Sequence, residues 1–234
     1  MVLNVDMNDP QIKVTGMVAK GGCGNSEKML DMTQRAHPTA AVTGTYFSPR
    51  NLEPIGDIVV DGRIAHHGGM GTGLCITDDN QCDFIQPLHR YARMDWSQYD
   101  FVCCAGPRLV TNGIAGAYPR EEGFRDPHLL HSATRLAVGV TAQNHLLFVA
   151  TRSRVQLGQM GKAMKKLGCI HAINLDAGGS QGFYYNGNAH IQPQRSMTNL
   201  ILIYDDKHRY EKFKSRLFPG AEIARNTRPT PVGR

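Results

Sequence analysis

Much of what usually betrays a biochemical role is missing from these 234 residues. No apolar run approaches the ~18 residues that a membrane-spanning helix needs, which excludes such a span within the sequence. The six cysteines, Cys23, Cys75, Cys82, Cys103, Cys104 and Cys169, contain no Cys-x-x-Cys pair, so zinc-finger and thioredoxin readings fail on spacing. Lys20-Gly-Gly-Cys-Gly24 lacks the Gly-Lys-Ser/Thr ending of a phosphate loop and reads as a turn. His66-His-Gly-Gly-Met-Gly-Thr-Gly73 lacks the Gly-x-Gly-x-x-Gly frame that opens a nucleotide-binding helix. Its two histidines have no acidic partner at ligand spacing, and His128 and His131 read as surface or capping residues. Neither a metal nor a cofactor is expected.

A basic stripe interleaved with stacking aromatics is also absent. The formal charge is +6, but residues 205–234 carry eight Lys/Arg against four Asp/Glu, leaving 18 against 16 before them. In that basic segment Tyr210, Phe213, Leu217 and Phe218 fall at helical spacing and read as a core face, so no nucleic-acid partner is expected.

What is present reads as an ordinary folded protein, 41% hydrophobic and 20% charged, of a length that one large domain accommodates. The expected fold class is α/β (α+β): a mixed, largely antiparallel β-sheet core flanked by a few helices, in one domain over 1–225. Residues 226–234 form a Pro/Arg-rich tail with no core to join. Met1-Val-Leu-Asn-Val5 enters an alternating strand pattern at once, with no secretory leader in view. Two strands are expected between Val2 and Val14, and a helix capped by Ser26 runs to Ala36 with Met29, Leu30 and Thr33 inward. A buried strand follows over Thr39 to Phe47, and Asp61-Gly62 makes a hairpin turn. A second helical face, Leu157, Met160, Ala163, Met164 and Leu167, stops at Gly168. Cys103 and Cys169 lie in apolar runs and read as buried thiols. One or two disulfides are compatible with an exported protein, and the sequence does not pair them.

The organising stretch is Cys169 to Ser180. An apolar run long enough for one buried strand delivers Asp176 to a strand end, where Gly178 and Gly179 let a ligand approach backbone amides and Ser180 adds a hydroxyl. For an isolated Asp-x-Gly-Gly an Asx-type turn is the better explanation. The wider pattern is more telling. Arg135-Leu-Ala-Val-Gly139, Lys166-Leu-Gly-Cys169, Ala172-Ile-Asn-Leu-Asp-Ala-Gly-Gly-Ser180 and Arg195 before Asn199 resemble the phosphodiester glycosidase family. Thr43-Gly-Thr-Tyr-Phe47, Pro54-Ile-Gly-Asp57 and Ala105-Gly-Pro-Arg-Leu-Val110 extend the likeness over nearly the whole chain. The family's loop usually has Gly where Ala177 stands, and many members have Asn at the position of Thr43.

The resemblance implies hydrolysis of the sugar-phosphate bond of a sugar 1-phosphodiester. The departing phosphomonoester has a second pKa near ~6 and needs little protonation. Such a site therefore calls for a cationic or amide clamp and one carboxylate rather than a strong general acid. Asp176 is the expected carboxylate and Arg135 the expected clamp, with Thr45, Asp57, Asn174, Gly178, Gly179, Ser180 and Arg195 binding substrate. Arg120, Arg125 and Asp126 are unranked candidates in a covering loop. Hydrolysis of ordinary glycosidic bonds in a polysaccharide and non-catalytic binding of glycans or phosphosugars stay open beside this reading. Export is expected by the resemblance, with a cytoplasmic location not excluded.

Overall fold

A computed structural model describes residues 1–87 and 93–218. The expected closure of the last helix at Pro219-Gly220 and the tail at 226–234 lie outside the described residues. The chain opens with β1 (Val2–Asp6), β2 (Lys13–Val18), α1 (Met29–Ala36), β3 (Ala40–Thr43), β4 (Ile58–Val60), β5 (Arg63–His66), β6 (Thr72–Ile76) and β7 (Cys82–Ile85). Next come β8 (Phe101–Ala105), β9 (Arg108–Thr111), β10 (Ile114–Ala115), the single-turn α2 (Pro127–Leu130), β11 (Leu136–Thr141) and β12 (His145–Ala150). The remainder carries α3 (Leu157–Lys166), β13 (Cys169–Leu175), β14 (Phe183–Tyr185), β15 (Asn188–Ile191), β16 (Asn199–Tyr204) and α4 (Lys207–Phe213).

These strands form three sheets, ordered β1-β12-β11-β13-β9-β10, β15-β14-β3-β16-β2 and β5-β4-β8-β6-β7. Every pairing between these strands is antiparallel. Alternation explains the packing, because successive side chains leave opposite faces of a strand. Val138, Phe148, Ile173 and Leu175 of the first sheet meet Val42 and Ile201 of the second and Leu74, Phe101 and Cys103 of the third in one central core. The outer faces then take the helices. Met29, Met32 and Ala36 of α1 cover Met17, Leu200 and Leu202, while Leu157, Met160 and Met164 of α3 cover Leu109, Ala137 and Ala172. The result is the largely antiparallel core with flanking helices that the sequence calls for.

Four local expectations are corrected. Helix α1 begins at Met29 without a side-chain cap, because Glu27 is bridged to Met197 and Ser26 stands outside the helix. Met32 takes the inward place expected for Leu30. Ala163 of α3 and Leu167, which caps its C-terminus, are exposed. The contact runs instead through Gly161, where an added Cβ would stand 2.6 Å from the Leu109 carbonyl oxygen, so close backbone approach rotates the buried face. The strand expected over Thr39 to Phe47 pairs regularly only over Ala40–Thr43. Its continuation leaves the ladder to build the site below. Asp61 and Gly62, with φ of 54° and 65°, turn β4 into β5 as expected.

Candidate active site

Strand β13 crosses the first sheet between β11 and β9, and its ladder with β11 ends where Leu175 faces Leu136. Arg135 lies just before the last paired residue of β11 and Asp176 just after that of β13, so the two backbones reach the same end of the sheet although 41 positions apart in sequence. Beyond Asp176 the chain makes a tight turn over Gly178–Ser180, in which Ser180 N–H donates to the Ala177 carbonyl at 3.1 Å. Gly178 has φ 60°, a conformation that suits glycine, whereas Ala177 sits at φ −148°. The methyl at 177 thus imposes no left-handed strain.

Six hydrogen bonds pin this loop. The Asp176 N–H donates to the Gly44 carbonyl at 3.0 Å, and Gln194 N–H donates to the Gly179 carbonyl at 2.8 Å. Thr43 Oγ1 donates to the Ser180 carbonyl at 2.7 Å and accepts from Gly182 N–H at 2.9 Å. Gln181 Nε2 donates to the carbonyls of Thr151 at 2.9 Å and Arg135 at 3.2 Å. Asn199 holds the facing segment, accepting from Thr45 N–H at 2.8 Å and donating to the Thr45 carbonyl at 3.1 Å. Gly44 is required there, since a Cβ would lie 2.2 Å from Asn199 Oδ1.

Burial pushes the Asp176 carboxyl up to about 7, against the pull of the Ser180 side chain, the Ala177 N–H and the Arg195 charge, and Asp126 pushes the same way as burial. A carboxyl poised there exchanges a proton near neutrality. Arg195 is exposed and lies over the loop, with Nη2 3.0 Å from where a Gly179 Cβ would stand. Glycine at 179 thus makes room for the guanidinium beside Asp176.

Arg135 is buried, and its guanidinium is largely engaged. Nη2 donates to the Leu129 carbonyl at 2.9 Å and to the His131 carbonyl, and Nε donates to the Val155 carbonyl at 3.3 Å. Burial lowers its pKa, with Tyr46 working against that. Its charge lies behind the loop and braces the segment around α2. Asn174 is also buried, and Nδ2 donates both to the Leu175 carbonyl at 2.7 Å and to the Tyr46 hydroxyl. Thr45 is buried, and its Oγ1 has no partner among the described residues.

Asp57 is placed differently from Asp176. Its Oδ1 accepts from the N–H groups of Gly68 and Gly69 at 2.8 and 2.9 Å, and its Oδ2 accepts from Trp96 Nε1 at 2.8 Å. It holds the 68–69 backbone instead of presenting an oxygen to the loop of Asp176.

Two residues near the site are not among the site residues expected from the sequence. Tyr46 reads in sequence as one more strand residue, yet its hydroxyl feels Asp176, Arg135 and Glu122, and its ring packs edge-on against Phe124 at 5.9 Å. Glu122 accepts from Arg108 N–H at 3.0 Å, and burial raises its carboxyl pKa. The covering loop reads as irregular, and nothing in its pattern sets Glu122 apart from Glu121. Asp126 caps α2 by accepting from His128 N–H at 2.8 Å. Among the described residues no group of three His, Cys, Asp or Glu side chains is arranged to hold a metal ion. His66 instead contacts the Pro54 carbonyl at 2.6 Å and Glu53 at 3.3 Å. All six cysteines are free, with Cys103 and Cys169 buried.

The family model of phosphodiester glycosidases matches residues 36–204. No curated protein matches the chain. Among solved structures, the chain is similar to a hypothetical protein from Synechocystis, with TM-score 0.75 and 14% identity over 86% of this chain. It spans only 58% of that structure's length. It is also similar to the catalytic domain of zebrafish N-acetylglucosamine-1-phosphodiester alpha-N-acetylglucosaminidase, auto-inhibited by its pro-peptide, with TM-score 0.71 and 18% identity over 87% of this chain and 82% of that one. A third similar structure is a candidate exported protein from Burkholderia pseudomallei, with TM-score 0.56 and 16% identity over 87% of this chain and 73% of that one. At these identities the structures bear on fold alone.

Proposed function

Since the chain belongs to the phosphodiester glycosidase family, we propose that it hydrolyses the bond between a sugar's anomeric carbon and a phosphodiester oxygen, releasing free sugar and a phosphomonoester. The observation that carries this reading is the half-buried Asp176, poised near neutrality, with the exposed Arg195 guanidinium laid across the glycine loop beside it. In this reading Arg195 and the Gly179 amide hold the phosphate, because a guanidinium matches phosphate oxygens two at a time, while Gly178, whose N–H donates to the Thr134 carbonyl at 3.3 Å, shapes the turn beneath it. Arg135 adds positive charge from behind while keeping α2 and β11 in register. Ser180 and Asn174 orient the carboxylate and its surroundings, Thr45 lines the facing segment, and Asp57 supports it from a distance.

Ionised Asp176 takes the proton of the attacking water, whose hydroxyl adds to the anomeric carbon. The electron pair of the breaking C–O bond leaves with the phosphate. A base of this strength is ionised above pH 7 and protonated below it, so kcat/KM is expected to rise with pH and level off beyond about 7. A pH–rate profile flat between pH 5 and 8 would reject Asp176 as the base. Arg195→Ala is expected to raise KM roughly tenfold and to weaken the salt dependence of kcat/KM, with little change in melting temperature. An unaltered KM would remove Arg195 from the clamp.

The reaction itself is tested by incubating the protein with a panel of sugar 1-phosphodiesters and aryl glycosides, following phosphorus by NMR and sugar by chromatography. Release of sugar with a phosphomonoester supports the proposal, and cleavage of aryl glycosides alone contradicts it. We also infer an exported protein, as the similar Burkholderia protein is described to be. Among the described residues no helix is long and apolar enough to cross a membrane. Fractionation of the native host, with the protein found only in the cytoplasm, would overturn that inference.

A further inference from the structure

Asn174 Nδ2 has two acceptors, the backbone carbonyl of Leu175 and the hydroxyl of Tyr46. A carbonyl oxygen only accepts, so the Leu175 bond requires nitrogen at that position and fixes which way the amide faces. The second Nδ2 proton then goes to the Tyr46 oxygen. The phenol is consequently an acceptor towards Asn174, and its own O–H is left to point elsewhere; among the described residues it donates to none. The cost of this orientation is visible, because Asn174 Oδ1 is buried without a partner. The Tyr46 side chain is half-buried and stands two residues beyond Gly44, whose carbonyl accepts from the Asp176 N–H at 3.0 Å. Phe124 fixes the ring from its edge.

We propose that Tyr46 is a further catalytic residue, whose hydroxyl donates a hydrogen bond to the sugar-phosphate oxygen as the C–O bond breaks. The inference rests on the reaction proposed above. Tyr46 keeps its proton throughout: water supplies hydroxide to the anomeric carbon and a proton to Asp176, while the electron pair of the broken bond stays on the phosphate oxygen that Tyr46 meets. Burial raises the phenol's pKa, so at working pH it is a donor and not a base. The hydrogen bond strengthens as that oxygen gains charge, which places its effect on kcat more than on KM.

The test is Tyr46→Phe, which removes one oxygen and keeps the ring. Expected are a fall in kcat of roughly 10- to 100-fold with KM within about threefold, a melting temperature close to wild type, and weaker binding of phenyl phosphate by about tenfold in calorimetry. The loss of kcat should be larger for alkyl than for 4-nitrophenyl phosphodiesters of the same sugar, because the poorer leaving group relies more on the donor. A purely structural tyrosine would lose equally on both. Wild-type kcat in the variant, or an equal loss on both esters, overturns the proposal. Should the wild-type protein hydrolyse no phosphodiester, the reaction assigned above fails, and calorimetry still decides Tyr46: equal affinity for phenyl phosphate in both proteins overturns it, and a tenfold loss in the variant supports the donor.

Discussion

Asp176→Asn is expected to lower kcat by roughly a thousandfold or more, the range in which loss of a positioned proton acceptor falls. Asn fills nearly the same space and leaves the backbone bond from residue 176 to Gly44 untouched. Stability should not fall with activity, and pH reveals why. The wild-type carboxyl titrates near its ordinary 3.8 when unfolded and at about 7 when folded. Between those values the folded state holds the extra proton, so wild-type stability declines as pH rises through that window and levels off above about 7. The variant lacks this burden. Its melting temperature should therefore match wild type near pH 4 and exceed it at pH 8. Substantial turnover in the variant, or a melting temperature lower than wild type at pH 8, would contradict the role given to Asp176.

Gly71→Ala is expected to prevent folding. The residue has φ +87°, and an added Cβ would stand 1.8 Å from the Ala105 carbonyl oxygen, which belongs to the paired strand β8 and cannot swing aside as a side chain can. Two penalties combine: the left-handed backbone costs about 1 kcal/mol for a residue with a side chain, and the overlap forces β6 from β8, for a total above roughly 4 kcal/mol. Gly62→Ala separates them. Its φ is +65° but nothing lies within 4 Å of the new Cβ, so only the first cost applies and the protein should remain folded. Denaturant titration compares the two, and a Gly71→Ala protein as stable as Gly62→Ala would show that the β6–β8 contact yields. Thr72, next in sequence, sits 3.4 Å from Glu122 at the edge of the site, so this packing also bears on the covering loop.

The sequence makes the backbone of the site legible because its signals are local. An apolar run followed directly by Asp176 and two glycines announces a strand end, and β13 ends at Leu175. Other features depend on partners distant in the chain and leave no periodicity. The carbonyls of Leu129, His131 and Val155 that occupy Arg135 are backbone groups, which no side-chain pattern advertises. Asp57 looks as exposed in sequence as Asp176, and only the fold brings Trp96 and the Gly68-Gly69 amides onto it. Ser26 has the chemistry of a helix cap, yet the Glu27–Met197 bridge claims that backbone first. Tyr46 was hidden for a similar reason: its place is set by Asn174, 128 residues later.

The floor beneath Asp176 is stitched from Thr43 and Gly44, Arg135, Thr151, the 176–182 turn, Gln194 and Asn199. No contiguous fragment shorter than 43–199 contains every stitch. The centre is thus a property of the finished tertiary structure, with no precursor in any isolated hairpin, and an incompletely assembled chain has no partial version of it to expose.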